Sequence, residues 1–216
     1  MESLASAVWL TLGLTVVGGY LLGSIPFGLI ATRLGGAGDI RKIGSGNIGA
    51  TNVLRSGRKD LAAITLIGDA GKGAVAVLLA HLLTAGNPFF VALAGGSAFV
   101  GHLFPVWLKF NGGKGVATFY GVLLSAAFPV GALAGVTWIA MAFLFRMSSL
   151  AALTAAALAP LFAFAVDAPK PIVILAAVMA VLIYIRHHEN IRRLLNGEEP
   201  RIGVKKAEAA PPAPDA

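Results

Sequence analysis

Three segments of this chain concentrate glycine, amide and basic side chains in patterns able to bind anions. The first is GSGNIGATNVLRSG, residues 44–57. Gly44, Gly46 and Gly49 let backbone N–H groups approach a ligand closely. Successive N–H groups in a turn form an anion-binding concavity. Ser45, Asn47, Thr51 and Asn52 add neutral donors, and Arg55 adds a planar cationic fork suited to phosphate. The glycines also satisfy G-x-G-x-x-G, but a dinucleotide site needs a preceding strand and a βαβ unit, and neither is visible. A merely flexible interfacial loop would need glycines too. Ser45, Arg55 and the dense amides favour the anion site.

The second segment is GHLFPVWLKFNGGKGVAT, residues 101–118. Gly112, Gly113 and Gly115 enclose Lys114 just before an apolar run. A helix N-terminus there would offer N–H groups and positive dipole charge to a phosphate. The Walker A pattern fails, because Leu108 stands where its first glycine belongs and Gly115 follows the lysine. ATP is therefore not implied. The plainer alternative is a basic topology anchor.

The third segment runs from Arg186 through HHENIRRLLNGEEP, residues 187–200. His187 and Asn190 are three apart and share a helix face. Glu189 could act as a base or pair with a basic residue. The competing reading is a juxtamembrane helix that binds anionic lipid heads. Two lesser places are Asp69 with Lys72, read as a structural pair near the interface, and Arg146 with Ser148 and Ser149, whose donors could extend a phosphate site. His81 reads as an ordinary helix-end residue. No Ser-His-Asp assembly is indicated. The H-x4-D acyltransferase signature is absent, since Gly86, Trp107, Arg192 and Arg193 stand five after the four histidines. With no cysteine and no zinc-ligand spacing, neither a metal nor a cofactor is implied.

The elements that hold these segments must lie in a bilayer. Of 216 residues, 57% are hydrophobic and only 12% charged, with mean hydropathy +0.81; a soluble domain carries roughly a quarter charged residues. The pattern predicts an all-α polytopic membrane protein with seven transmembrane helices at about 4–24, 61–83, 88–108, 115–128, 130–145, 149–167 and 171–186. Residues 25–32 should continue the first helix past Pro26 with a kink. The region 115–145 should divide near Phe128-Pro129, because Lys114 and Arg146 then share one side.

Orientation follows from basic residues. Fifteen of the 17 Lys and Arg fall in four segments on one side. Positive residues mark the cytoplasmic side, so the N-terminus should lie outside and the C-terminus inside. Trp9, Trp107 and Trp138 are read as interface residues near helix ends. The N-terminus lacks the basic start of a cleaved signal peptide. Residues 1–206 form one membrane domain, and 207–216, rich in proline and alanine, read as a disordered tail. The net charge of +7 has its origin in topology, and nucleic-acid binding is not indicated because no RNA-binding motif accompanies it.

The three strings, in this order, resemble the bacterial acyl-phosphate:glycerol-3-phosphate acyltransferase family over nearly all residues from 4 to 203. His188 stands where a basic residue belongs in that pattern. The resemblance implies a seven-helix inner-membrane enzyme. It would move a fatty acyl group from acyl phosphate to the sn-1 hydroxyl of glycerol 3-phosphate, without a cofactor or obligatory protein partner. Membrane lipids would surround it. Ser45 and its glycine loop would hold the acyl phosphate, supported by Asn47, Thr51 and Asn52. Arg55 and Lys114 would neutralise phosphate charge. His187, Asn190 and Ser149 would hold glycerol 3-phosphate. Transfer would be direct, with a substrate phosphate oxygen taking the hydroxyl proton; Glu189 and His187 are the protein alternatives. The competing class is a phosphate or organic-anion transporter, but transporters place their sites near the midplane between interrupted helices.

Overall fold

In hydrocarbon, a backbone must satisfy its own polar groups, and a helix does so within one segment. The computed structural model describes residues 2–203, and its regular elements are all helical among the described residues. Helix α1 (Glu2–Gly23) stops before Pro26, and α2 (Phe27–Leu34) starts anew. Proline lacks an N–H and disfavours helical geometry in the residue before it. The helical hydrogen bonding is interrupted at Pro26, while residues 6–34 run on as one apolar stretch, the kinked continuation that was expected. The short α3 (Ala50–Leu54) follows the first glycine segment, and α4 (Lys59–Leu83) returns across the apolar layer.

Asn87 caps α5 (Pro88–Leu103), accepting from the Phe89 N–H at 3.0 Å. The regular α-helix stops at Leu103 before Pro105 and Val106–Leu108 form a 3₁₀ turn, so the apolar stretch still reaches Leu108 as the sequence suggested. The ambiguous region divides as expected. Helix α6 (Val116–Ala126) and α7 (Phe128–Phe145) meet at Ala127, with Pro129 in the first turn of α7. Helices α8 (Ser148–Ala165) and α9 (Lys170–Arg186) complete the apolar set. Past Arg186 the chain bends by 65° into α10 (His188–Leu195), a separate helix that the sequence had placed at the end of the last span.

Among the described residues, five stretches are long and apolar enough to cross a membrane, and six if α9 and α10 count as one broken span. The 11 residues of α6 rise only about 16 Å at 1.5 Å per residue, against a hydrocarbon core of ~30 Å. Large apolar side chains such as Ile67, Leu82, Phe143 and Phe164 are exposed on the outer surface, where lipid would cover them. Trp138 departs from its reading as an interface residue: it lies in the middle of α7 and packs against the main core. The residues 207–216 lie outside the described region.

Small residues let the helices approach backbone to backbone, as in membrane bundles generally. A side chain at Gly23 would meet the Ala98 backbone, and one at Gly101 would meet Tyr20, so α1 and α5 cross without intervening side chains. A side chain at Gly121 would strike the Ala70 carbonyl, fixing α6 on α4. Phe99, Leu103, Phe119, Leu123, Met179 and Ile183 fill the core between these crossings. A smaller cluster of Ile40, Ile48, Val53 and Leu61 sits beneath the first glycine segment.

Gly121→Ala should destabilise the purified protein by about 1–3 kcal/mol, the usual range for overpacking, measured by equilibrium unfolding in mixed micelles. Gly135→Ala, whose added methyl meets nothing within 4 Å, should leave stability unchanged or slightly raised.

Candidate functional site

Asn52 organises the first glycine segment. It is 2% exposed, and its Nδ2 donates to the carbonyls of Ile40, Ile43 and Asn47 at 3.0, 2.9 and 2.8 Å. Its Oδ1 accepts the backbone N–H of Ser45 at 2.9 Å and the Ser45 hydroxyl at 3.3 Å. That compact winding needs left-handed backbone at Gly44 (φ 58°) and Gly46 (φ 69°), which glycine adopts without steric cost. Any side chain at Gly44 would collide with Asn52 Oδ1, and Arg55 lies against the same turn. Asn47 Oδ1 accepts the Gly49 N–H at 3.0 Å, and Gly49 opens α3. Ser45, Thr51 and Arg55 stay exposed.

The second segment is pinned from both sides. Gly112 and Gly113 donate their N–H groups to the carbonyls of Leu103 and His102, each at 3.1 Å. Arg186, from the end of α9, donates to the Gly113 and Gly112 carbonyls at 3.1 and 2.8 Å. A side chain at Gly113 would strike the His102 ring, and one at Gly115 the Phe99 ring. This winding leaves Lys114 as the projecting cation. Its Nζ donates to Asn190 Oδ1 and so joins the second segment to the third.

Asn190 is oriented by its own partner. Its Nδ2 donates to Glu199 Oε1 at 2.6 Å, and Arg193 Nε donates to Glu199 Oε2 at 2.7 Å. The chain after α10 doubles back to reach this place: Ile202 N–H donates to the Arg146 carbonyl at 2.6 Å, and Arg146 Nη2 returns a bond to the Ile202 carbonyl at 3.0 Å. Ser149, buried at the start of α8, stands beside Glu199 and favours its ionised form. His187 is buried with Nδ1 at 2.8 Å from the Ile183 carbonyl. A carbonyl can only accept, so the proton sits on Nδ1 and Nε2 remains able to accept.

Electrostatics draws the segments together. Burial lowers the Lys114 pKa most, and Arg193 and Arg55 push in the same direction, while Glu189 and Glu199 oppose them. Lys114 therefore feels Arg55 from the first segment as well as the third. Burial alone would raise the Glu199 pKa, but the nearby Ser149 hydroxyl and the hydrogen bonds from Asn190 and Arg193 more than offset it and hold the carboxyl below its usual range. The site is thus rich in donors, and its innermost carboxylate is already committed to them.

The sequence-predicted residues fall into two groups. Lys114, Asn190 and Ser149 converge around Glu199, with the exposed Glu189 and Arg55 within electrostatic reach. Asn52, Asn47, Gly112 and Gly113 shape the loops through hydrogen bonds. Sequence reasoning did not single out Glu199, Arg186 or His102. Arg186 and Glu199 stood within the third segment, but nothing in their spacing distinguished them from solvated neighbours. Beside the site, an apolar groove of about 340 Å³ lies between α1, α5 and α9, lined by Val16, Tyr20, Gly96, Val100, Met179 and Leu182. Phe104 borders both regions: Tyr20 donates to its carbonyl at 2.7 Å, and the Arg186 guanidinium lies 5.6 Å from its ring centre.

A family model described as glycerol-3-phosphate acyltransferase matches residues 13–197. The glycerol-3-phosphate acyltransferase of Caulobacter vibrioides (strain NA1000 / CB15N) is 78% identical over 100% of both chains. That of Rhodospirillum rubrum is 57% identical over 94% of this chain and 95% of its own. Among solved structures, the glycerol 3-phosphate form of PlsY (YgiH), an integral membrane glycerol 3-phosphate acyltransferase, superposes with a TM-score of 0.84 at 38% identity. It covers 89% of this chain and 96% of that one.

Glu199 has a depressed folded pKa, so its contribution to stability is present above the usual value of 4.5 and is lost as pH falls below it. Glu199→Gln should lower stability at neutral pH by about 1–2 kcal/mol, the worth of charge-assisted hydrogen bonds reduced by partial solvent screening. It should also flatten the acid limb below pH 4.5 in a pH series of unfolding midpoints. An acid limb as steep in the variant as in the parent would contradict this role.

Proposed function

The chain belongs to the glycerol-3-phosphate acyltransferase family, and from that premise we propose that it moves a fatty acyl group from acyl phosphate to the sn-1 hydroxyl of glycerol 3-phosphate. The products are 1-acylglycerol 3-phosphate and inorganic phosphate. The observation that carries this reading is the bond from Lys114 to Asn190, which joins two of the segments, with Arg55 of the first segment close enough to act on Lys114 electrostatically. Both substrates carry phosphate, and one also carries a chain that needs apolar walls.

The Gly44–Gly49 loop and the exposed Ser45 hydroxyl bind the acyl-phosphate group. Asn52, Asn47 and Thr51 support that loop. Arg55 and Lys114 neutralise phosphate charge, and Lys114 also stabilises negative charge developing on the carbonyl oxygen. Gly112, Gly113 and Gly115 set the direction of Lys114. Asn190, His187, Ser149 and Glu189 surround glycerol 3-phosphate. The acyl chain lies in the groove between α1, α5 and α9, open to lipid.

The hydroxyl oxygen attacks the acyl carbon, the bond from carbonyl carbon to phosphate oxygen breaks, and phosphate leaves. A phosphate oxygen of the substrate accepts the hydroxyl proton. Because acyl phosphate is an activated anhydride with a good leaving group, positioning supplies most of the acceleration, and no acyl-enzyme forms. On this reading residues 1–206 form one domain of the bacterial inner membrane, with seven crossings of which α6, paired with α7, is the shortest. The N-terminus lies outside and the site faces the cytoplasm. The chain works without a protein partner. Family membership disfavours the transporter reading.

Purified protein given acyl phosphate and glycerol 3-phosphate should release phosphate and lysophosphatidate in equal amounts. Arg55→Ala and Lys114→Ala should each lower kcat/KM by about 100-fold or more, as for loss of one preorganised charge-stabilising donor, while His81→Ala retains activity. Vectorial phosphate uptake by liposomes without acyl product would overturn the assignment.

A pH series tests Lys114 separately. Its cation is the working form and its pKa is lowered, so activity should fall as pH rises, before the usual lysine value of 10.5. Lys114→Arg, which keeps its charge, should shift that limb to higher pH among the molecules that remain active.

A further inference from the structure

Asp69 and Lys72 form an ion pair inside α4 that the proposed reaction does not use. Lys72 Nζ lies 2.8 Å from Asp69 Oδ1, and the two residues are 3% and 1% exposed. Replacing a buried ion pair with apolar residues of similar volume is often neutral or stabilising, so stability alone gives little reason for this one. Its remaining contacts give a better reason. Lys72 Nζ also donates to the Ile25 carbonyl at 2.8 Å, at the break between α1 and α2. His102, 3% exposed, turns Nδ1 toward Asp69 Oδ1 at 3.5 Å. Thr118 Oγ1, in the first turn of α6, donates to the Asp69 carbonyl at 2.8 Å.

We propose that Asp69, Lys72 and His102 are positioning residues that hold the two glycine-rich phosphate segments in register with each other. One arm runs from Lys72 to Ile25. That carbonyl sets the start of α2, and α2 carries Gly28, whose missing side chain lets the helix lie directly on the Ile48 carbonyl in the middle of the first glycine loop. The other arm runs from Asp69 to His102. The His102 carbonyl accepts the Gly113 N–H, and its ring occupies the space a side chain at Gly113 would need. Lys114 is the next residue. The Thr118 bond ties the start of α6, directly after the second loop, to the same carboxylate residue. One buried cluster therefore connects to both loops through rigid contacts, although none of its charges reaches the surface.

This inference rests on reading the two segments as phosphate sites, and the test keeps the two apart. The chain contains no cysteine, so Leu54→Cys and Asn111→Cys, both exposed, can carry spin labels beside the first and second loops. In the otherwise unaltered full chain, in lipid nanodiscs, the label-to-label distance should be narrow and the protein active. Absence of lysophosphatidate here would refute the reaction and not the linkage, which the distance still reports. In Asp69→Asn/Lys72→Met, which removes both charges together, the distance should broaden. At saturating substrates, kcat should fall at least about 10-fold, since a misplacement of about 1 Å can cost 100-fold. His102→Leu should do the same with the ion pair intact, and His102→Asn, whose Nδ2 can replace the ring nitrogen facing Asp69, should recover part of the loss. A folded double variant with unchanged distance and kcat would overturn the proposal. If that variant does not fold, unchanged distance and kcat in His102→Leu would overturn it equally.

Discussion

A polar group surrounded by hydrocarbon costs several kcal/mol unless it has a partner, and that constraint governs where every charge in this molecule can stand. The chain meets it by linking its buried polar groups into short series. Lys114 leads to Asn190, Asn190 to Glu199, and Glu199 to Arg193. Arg186 spends its donors on the Gly112 and Gly113 carbonyls. Deeper, Lys72 joins Asp69 to the carbonyl freed at the helix break. The Arg186 and Lys72 series end at backbone carbonyls, so satisfying those side chains also fixes the chain around them.

Close helix packing follows from the same constraint. Without a hydrophobic drive between helices in lipid, backbones must approach for dispersion to hold them. Gly23, Gly101 and Gly121 permit that approach. The approach brings the interior of α4, the end of α5 and the start of α6 close together, where His102 and Thr118 can both reach Asp69. Glycines in the loops act differently. Gly44 and Gly46 supply left-handed turns, and Gly113 leaves space for a histidine ring.

The helices were legible in the sequence because apolar length and proline position are local signals. The division at Phe128-Pro129 and the three polar segments could be read for that reason. Near Pro26 and Pro105 the apolar stretches run on as expected, to Leu34 and Leu108, but the α-helical hydrogen bonding is interrupted at each proline, a detail that hydropathy does not carry. Trp138 was read as an interface residue, and only the packing of α7 shows it to be internal. At the site, Lys114 and Asn190 were visible as residue types, but not their bond, because 76 positions separate them. Glu199 was hidden among similar acidic neighbours. Its importance arises from the turn after α10, which depends on Ile202 pairing with Arg146. Asp69 and Lys72 showed as an i,i+3 pair, but their third member came from another helix.

The commitments of these side chains also bear on where a proton can go. Glu199 accepts from Asn190 and Arg193, so it is a poor base: its ionised form is the stabilised one, and taking a proton would loosen Asn190. His187 has its proton directed at the Ile183 carbonyl, which leaves Nε2 to accept but sets it in a buried place near two cations, Lys114 and Arg186, where gaining charge is unfavourable. Glu189 stands exposed to water in the first turn of α10. The protein therefore offers cations and donors in fixed places but no strong base. A site so equipped suits a reaction whose activated donor needs neutralisation and alignment and whose own phosphate can carry the proton away.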